Sequence, residues 1–316
     1  MKLRNVYCCI LFVLLFTGTS LAIYDDIGVG ARPLGLGGAF VAIANDSNAA
    51  YYNAAGLAYI DGIQIGATYA QRFNGLITYN TISGILPLGR VGSVGANLGI
   101  LGEESDLYTE QTVRFSYANT IFKKIALGLN LKMLGISYDE ENEFVSENPY
   151  FVHTSSSAFS FDVGLLTKPF NSLNIGLSIE NILPADMSIS NTQTDSVPQN
   201  IRIGLAYNLE SIAEMSVQGE AITNLLKGTL GTIEVTSRNG EINTLIGVEI
   251  MLNKTIGIRG GYGMKNAGNT ASTFNFGGSV RIPVGGAIPQ IDYGFQLLAG
   301  DFNDNITQRF SINLLF

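Results

Sequence analysis

The chain has 316 residues, of which 46% are hydrophobic and only 14% charged, with 37 Gly and no Trp. That composition excludes a disordered chain, which needs low hydrophobicity and high net charge, and its charge content is well below the roughly 25% of soluble domains. A formal charge of −8 without a basic cluster gives no footing for a nucleic-acid partner.

Lys2 and Arg4 precede an apolar run from Val6 to Phe16, and Ser20-Leu21-Ala22 offers a small-x-small cleavage site. This order reads as a secretory signal peptide over residues 1–22, too short in its core to cross a bilayer as a helix. Both cysteines, Cys8 and Cys9, fall in that leader. The exported part is therefore expected to fold without disulfides.

Residues 23–61 do not alternate between apolar and polar. Gly28, Gly30, Gly35, Gly37 and Gly38 make a flexible or close-packed entry. Asp46 or Ser47 can cap a short helix over residues 48–55, with Gly56 just past its end. The segment is apolar and compact enough to fold into a barrel lumen as a hatch. It lacks the preceding strand and the Gly-Lys-Ser/Thr of a phosphate loop.

From Asp61 onward the chain alternates with period 2. Val94, Ala96, Leu98 and Ile100 form one face of a strand, and Ser93, Gly95, Asn97 and Gly99 the other. The same reading holds for Leu173, Ile175, Leu177 and Ile179 against Asn174, Gly176, Ser178 and Glu180. Fourteen such segments lie near 63–72, 76–86, 91–102, 111–120, 125–138, 157–167, 173–183, 199–208, 214–224, 241–251, 255–263, 272–283, 289–298 and 306–316. The second is ambiguous in phase. Short connections (87–90, 121–124, 168–172, 209–213, 252–254, 284–288) alternate with longer ones (103–110, 139–156, 184–198, 225–240, 264–271). Short periplasmic turns and longer outer loops are the pattern of a bacterial outer-membrane barrel. The fold expected is all-β, a transmembrane antiparallel barrel of about 14 strands over residues 62–316, located in the outer membrane.

If the Gly/Ser/Asn face of each strand points to the lumen, the strand ionisables fall there too. They are Arg114, Lys132, Asp162, Glu180, Arg202, Glu220, Glu249, Arg259, Arg281, Asp292 and Arg309. A charge on the lipid face would cost up to about 2–4 kcal/mol at the midplane. Expected pairs are Lys132 with Asp162, Glu180 with Arg202 and Glu220, Glu249 with Arg259, and Arg281 with Asp292 and Arg309. Tyr69, Tyr117, Tyr138, Tyr207 and Tyr262 are candidates for an interfacial girdle. The last segment carries Phe310, Ile312, Leu314 and Phe316 at alternate positions, a pattern similar to the assembly signal read by the barrel assembly machinery.

Enzyme chemistry finds little support. His153 is the single histidine and sits with Ser155, Ser156 and Ser157 in a long loop, a poor support for a nucleophile and its base. No zinc ligand set is present in the exported part, and the acidic run Asp139, Glu140, Glu141, Glu143 and Glu147 lacks the spacing of a calcium loop. No cofactor or metal is expected.

The stretch GARPLGLGGAFVAIANDSNAAYYNAAGLA resembles the amino-terminal signature of FadL-like outer-membrane proteins, and is similar to the branch that includes the PorV/PorQ barrels of the type IX secretion system. The matching positions run from Gly35 through Gly37 and Gly38 to Phe40, then Asn45 and Asp46, then Asn53 through Gly56 to Leu57, with Ala54 where the family has Pro. The resemblance implies a fourteen-stranded barrel with a hatch built on these residues. It also implies, for transport members, exit of a hydrophobic ligand through a gap beside the third strand. Here that strand carries Gly92, Gly95, Gly99 and Gly102, consistent either with a kink or with space for the hatch. Beyond membrane lipids, the partners implied are a fatty-acid-like ligand taken up passively or, alternatively, protein cargo or partners of a secretion barrel. An open porin is disfavoured by the hatch-like segment. The mixed signs on the lumen face predict no single-sign filter, so planar-bilayer recordings are expected to show no strong anion or cation preference.

Overall fold

The computed structural model describes residue 24 and residues 26–105, 107–191, 194–215, 219–267, 269–299 and 306–316. The expected signal peptide, 1–22, lies outside the described residues. In chain order the strands are β1 (Gln64–Arg72), β2 (Ile77–Pro87), β3 (Ser93–Glu103), β4 (Tyr108–Phe122), β5 (Ile125–Tyr138), β6 (Ser155–Phe170) and β7 (Leu173–Glu180). They continue with β8 (Ala185–Asp186), β9 (Ser196–Val197), β10 (Asn200–Asn208), β11 (Thr229–Arg238), β12 (Glu241–Leu252), β13 (Ile256–Ala267), β14 (Asn269–Arg281), β15 (Ile288–Leu298) and β16 (Thr307–Leu315). Strands β8 and β9 form a two-stranded ribbon in one loop, and the other fourteen close an antiparallel barrel, with β7 beside β10 and β16 beside β1. Closure leaves the barrel no free edge, so each of its fourteen strands has a partner on each side, as hydrocarbon requires.

Period 2 puts alternate residues outside. Ile82, Phe115, Leu131, Ile203, Ile258 and Ile312 are each more than half exposed, which for a spanning strand means facing lipid. Tyr69, Tyr117 and Tyr207 join them. Tyr138 does not: it lies on the inward phase of β5 and stacks on Tyr108 and Phe151, so it belongs to a loop-side cluster and not to a girdle. In β2 the phase resolves with Tyr79, Thr81, Ser83 and Ile85 inward and Asn80, Ile82 and Leu86 outward. Apolar residues occur on both faces there because Tyr79 and Ile85 meet apolar partners inside the barrel.

Thirteen of the fourteen sequence segments coincide with barrel strands, and the ninth does not. Instead of a strand over 214–224 the chain forms helices in the link between β10 and β11, among them Glu210–Met215 and Glu220–Lys227. Glu220 and Lys227 stand in the first and last turns of the second helix, where they complement its dipole, between Gly219 and Gly228 at its caps. The ninth barrel strand is β11, joined to β12 by a tight turn at Asn239-Gly240, both with positive φ. Glu220 is therefore exposed on a helix and does not enter the lumen.

Residues 26–60 lie within the barrel. They contain α1 (Ala31–Gly35), α2 (Ala49–Tyr52) and a 3₁₀ turn (Ala54–Tyr59), and most of their side chains are buried. The single helix expected over 48–55 is split at Asn53, whose backbone is extended (φ −162°). Its side chain accepts from the Ala55 N–H, which starts the 3₁₀ turn, and donates to Val41 O and Leu165 O. The path runs past β14–β16 at Ala31–Gly35, β12–β13 at Leu36–Gly37, β7 and β10 at Val41–Ala42, and β3–β6 at Asn53–Leu57.

Inward-facing glycines make this path possible. A Cβ at Gly294 would stand 2.6 Å from Ala31 O, at Gly247 2.5 Å from Leu36 O, and at Gly95 2.8 Å from Leu57 Cδ2. One at Gly128, Gly164, Gly176 or Gly261 would collide with the backbone or side chains of Asn53–Ala55, Val41 or Gly37. Strand β3 is accordingly unkinked: it pairs with β2 over Ser93–Glu103 and with β4 over Ser93–Gly102 without a register shift. Overpacking at such a contact costs about 1–3 kcal/mol. We expect Gly176→Ala to lower barrel stability by that amount in guanidinium unfolding. Gly260→Ala, where a Cβ meets nothing within 4 Å, should change it by less than about 0.5 kcal/mol.

Candidate functional site

The barrel interior is organised by buried charges that tie residues 26–60 to the wall. Arg32, on α1, donates from Nε and Nη2 to the two carboxylate oxygens of Glu249, at 2.8 Å each. Its Nη1 reaches Asp46 at 2.9 Å and Asn45 at 2.7 Å, and its guanidinium lies 5.3 Å from the Phe40 ring. Glu249 also accepts from Arg259 Nε at 2.6 Å, and Arg259 Nη1 donates to Asp292 at 2.8 Å. One chain of alternating charge thus runs Asp46, Arg32, Glu249, Arg259, Asp292.

A second centre is Arg202, 3% exposed. It donates to Glu180 at 2.8 Å, to Glu234 at 2.9 Å and to Asp26. The other oxygen of Glu234 accepts the backbone N–H groups of Phe40 and Val41 at 2.7 and 2.8 Å. Lys132 and Asp162 make a third centre, 2.5 Å apart. Asp162 accepts from Asn130, which also donates to Ala50 O at 2.8 Å.

Several expected pairs therefore meet: Lys132 with Asp162, Glu180 with Arg202, and Glu249 with Arg259. Others do not. Arg281 reaches Asp292 only through Gln290, which accepts from Arg281 and donates to Asp292. Arg309 turns to the backbone carbonyls of Gly30 and Ile27. Arg114 donates to Asn97 and lies 4.6 Å from the Tyr51 ring. Sequence reasoning missed Arg32, Asp26 and Glu234. Glu234 has a signal, since it stands between Thr232 and Thr236 on the polar phase of β11, but a strand expected over 214–224 leaves 225–240 as a connection.

The signature residues are mostly internal packing. Phe40 is fully buried and meets Tyr52 edge-on at 5.3 Å, and Leu57 packs with Ala50, Ile85 and Ala118. Gly56 abuts Ala44, and Gly35 abuts Gly277. Gly37 and Gly38 border a polar cavity of about 140 Å³ shared with Asn200, Arg202, Asn243 and Arg309. Asn45 opens to the opposite end. Both of these cavities are lined largely by polar and charged side chains. On the outer wall, Phe310, Ile312 and Phe316 are exposed and Leu314 is half-buried. His153 is exposed in the β5–β6 loop, its N–H on Ile189 O.

Removing one partner of a buried pair strands the other and costs about 3–5 kcal/mol, whereas the intact pair need not add net stability. We expect Arg202→Met, which strands the carboxylates of Asp26, Glu180 and Glu234, to destabilise the barrel by that amount in guanidinium unfolding. Glu234→Gln, which leaves the Phe40 and Val41 N–H groups an acceptor, should cost less.

The fold is similar to that of several solved barrels. A FadL homologue of Pseudomonas aeruginosa superposes with a TM-score of 0.61 at 10% identity, covering 94% of this chain and 99% of that one. The CymD monoaromatic hydrocarbon channel gives 0.62 at 11%, covering 93% and 98%. The Ralstonia pickettii toluene transporter TbuX gives 0.58 at 11%, covering 93% and 98%. At these identities the likeness is one of fold. No curated protein matches the chain. The family model of the type IX secretion system membrane protein PorP/SprF matches residues 46–300, most of the barrel and the later part of the internal segment. An outer-membrane location follows from a membrane barrel of this type, and the chain belongs to the PorP/SprF family of type IX secretion system membrane proteins.

Proposed function

We propose that this protein is a closed barrel that serves the secretion apparatus by docking protein partners, with residues 26–60 acting as a fixed hatch. The observation that supports this is the filled interior. The segment is held against the wall by close contacts at inward glycines and by ion pairs on Arg32 and Arg202. The cavities on the far side of it, about 140 and 40 Å³, are lined mainly by polar and charged groups. A hydrophobic solute needs a dry apolar route, and small-molecule sites are mostly apolar in lining. Strand β3, beside which such a solute would leave, is paired along both edges.

Passive uptake of hydrophobic molecules is the second reading, supported by the fold shared with hydrocarbon channels. Fold alone does not carry function. The finer resemblance to PorV/PorQ barrels rests on residues 30–58, and the PorP/SprF match begins within them, at residue 46. The barrel then carries no catalytic role, and Phe310, Ile312, Leu314 and Phe316 serve its assembly.

Native mass spectrometry of the barrel, purified in mild detergent from its own outer membrane, separates the two readings. A stoichiometric protein companion without a small ligand is expected. A retained apolar small molecule, lost on substituting Asn53 and Leu57, would overturn the docking reading in favour of uptake.

A further inference from the structure

The two ends of the barrel differ in charge. The β5–β6 loop, at the end with the long loops, exposes Asp139, Glu140, Glu141, Glu143 and Glu147, with His153 and no lysine or arginine. At the opposite end, where β1 begins and β16 finishes, the barrel opens into a cavity of about 670 Å³. Its cationic side chains include Lys168 at the end of β6, Lys227 on the helix before β11, Lys254 in the β12–β13 turn and Arg281 at the end of β14. Among the described residues that line it, the single carboxylate is Glu249, already held by Arg32 and Arg259. In a chain with a net charge of −8, this is a local excess of positive charge.

These cations are not consumed internally. Among the described residues, Lys168, Lys227, Lys254 and Arg281 form no ion pair with a carboxylate. Lys168 lies over the Tyr59 ring at 3.9 Å, and Arg281 spends one donor on Gln290. Lys227 and Lys254 are exposed. Between them stand Asn171, Asn208, Asn224 and Asn253, each with an amide that can donate and accept.

We propose that this mouth is a docking site for an acidic peptide segment of a periplasmic protein, a proposal that rests on the docking reading above and names its surface. Long outer loops at the other end put the mouth in the periplasm. The cations are spread around the rim and do not converge on one point, so they match carboxylates distributed along a chain better than a single small anion. The asparagines suit an extended backbone, whose N–H and C=O groups need partners when covered. Positive charge at the mouth and negative charge at the outer loops also steer such a segment to one end only.

The test uses the whole barrel in nanodiscs and a fluorescein-labelled ten-residue peptide of alternating Glu and Ser, followed by anisotropy. We expect it to bind, to weaken as salt is raised, and to lose about tenfold in affinity with Lys227→Gln/Lys254→Gln, both exposed. The Gln-for-Glu peptide should not bind. Equal binding of the two peptides, an unchanged affinity in the double variant, or displacement of the peptide by inorganic phosphate at comparable concentration overturns the proposal. If the double variant fails to fold, a photo-crosslinker in the peptide replaces it. Adducts on residues 219–227 or the β12–β13 turn support the site, and adducts on the outer loops overturn it. Absent peptide binding with a protein companion still retained in mass spectrometry overturns this surface alone. A retained apolar ligand overturns the reading beneath it.

Discussion

The structure depends on the close approach of an internal backbone to a ring of strands. A fourteen-stranded barrel encloses more space than the inward side chains of its strands can fill. Here residues 26–60 fill it, and they can do so because most barrel strands present a glycine inward where the segment passes. With a side chain at Gly128 or Gly176 the segment would have to move, since the atoms it would meet belong to backbone. The high glycine content is thus a packing requirement of the interior and not a sign of looseness.

The polar side of the same contact follows from burial. Once the segment covers the wall, the charged residues on the inward faces lose most of their water, and a buried charge needs a partner. Arg202 shows how this is met: one guanidinium serves carboxylates from β7 and β11 and one from the segment itself. Glu234 does the reverse, accepting from Arg202 on the wall and from two backbone N–H groups of the segment. Each such group fixes position as well as charge, because moving the segment would break several hydrogen bonds at once. That is the behaviour of a built-in element, in contrast to a loosely seated plug.

Much of the barrel was legible because lipid imposes a strict period. Leu173, Ile175, Leu177 and Ile179 cannot change face without placing Glu180 against hydrocarbon. The reading failed where that constraint lapses. Helices Glu210–Met215 and Glu220–Lys227 belong to the β10–β11 link and not to the barrel wall, and in such a link an alternating stretch competes with a helical one. The Asn239-Gly240 dipeptide, a strong hairpin signal, outweighs the weak alternation and places the ninth strand at Thr229–Arg238. The interior pairs were legible only where both partners lay on strands. Arg32 and Asp26 sit on the non-alternating segment, whose path no periodicity reveals, so their contacts with Glu249 and Arg202 could not be read from spacing.

The comparison with hydrocarbon channels sharpens what the shared fold does and does not carry. A barrel of this kind can host uptake only if two conditions hold together: an apolar place above the segment and a break in the wall through which the solute leaves. In this protein Tyr79 and Ile85, the inward apolar residues of β2, are already covered by the segment, and β3 offers no gap. The interior charges lie in layers that hold the wall and the segment to each other. The two ends of the barrel carry opposite charge. A closed cylinder with an acidic outer rim and a cationic, amide-lined periplasmic mouth has its free chemistry at its faces. Under the docking proposal, specificity for a protein partner is a property of those rims, while the barrel between them only sets how far apart they stand.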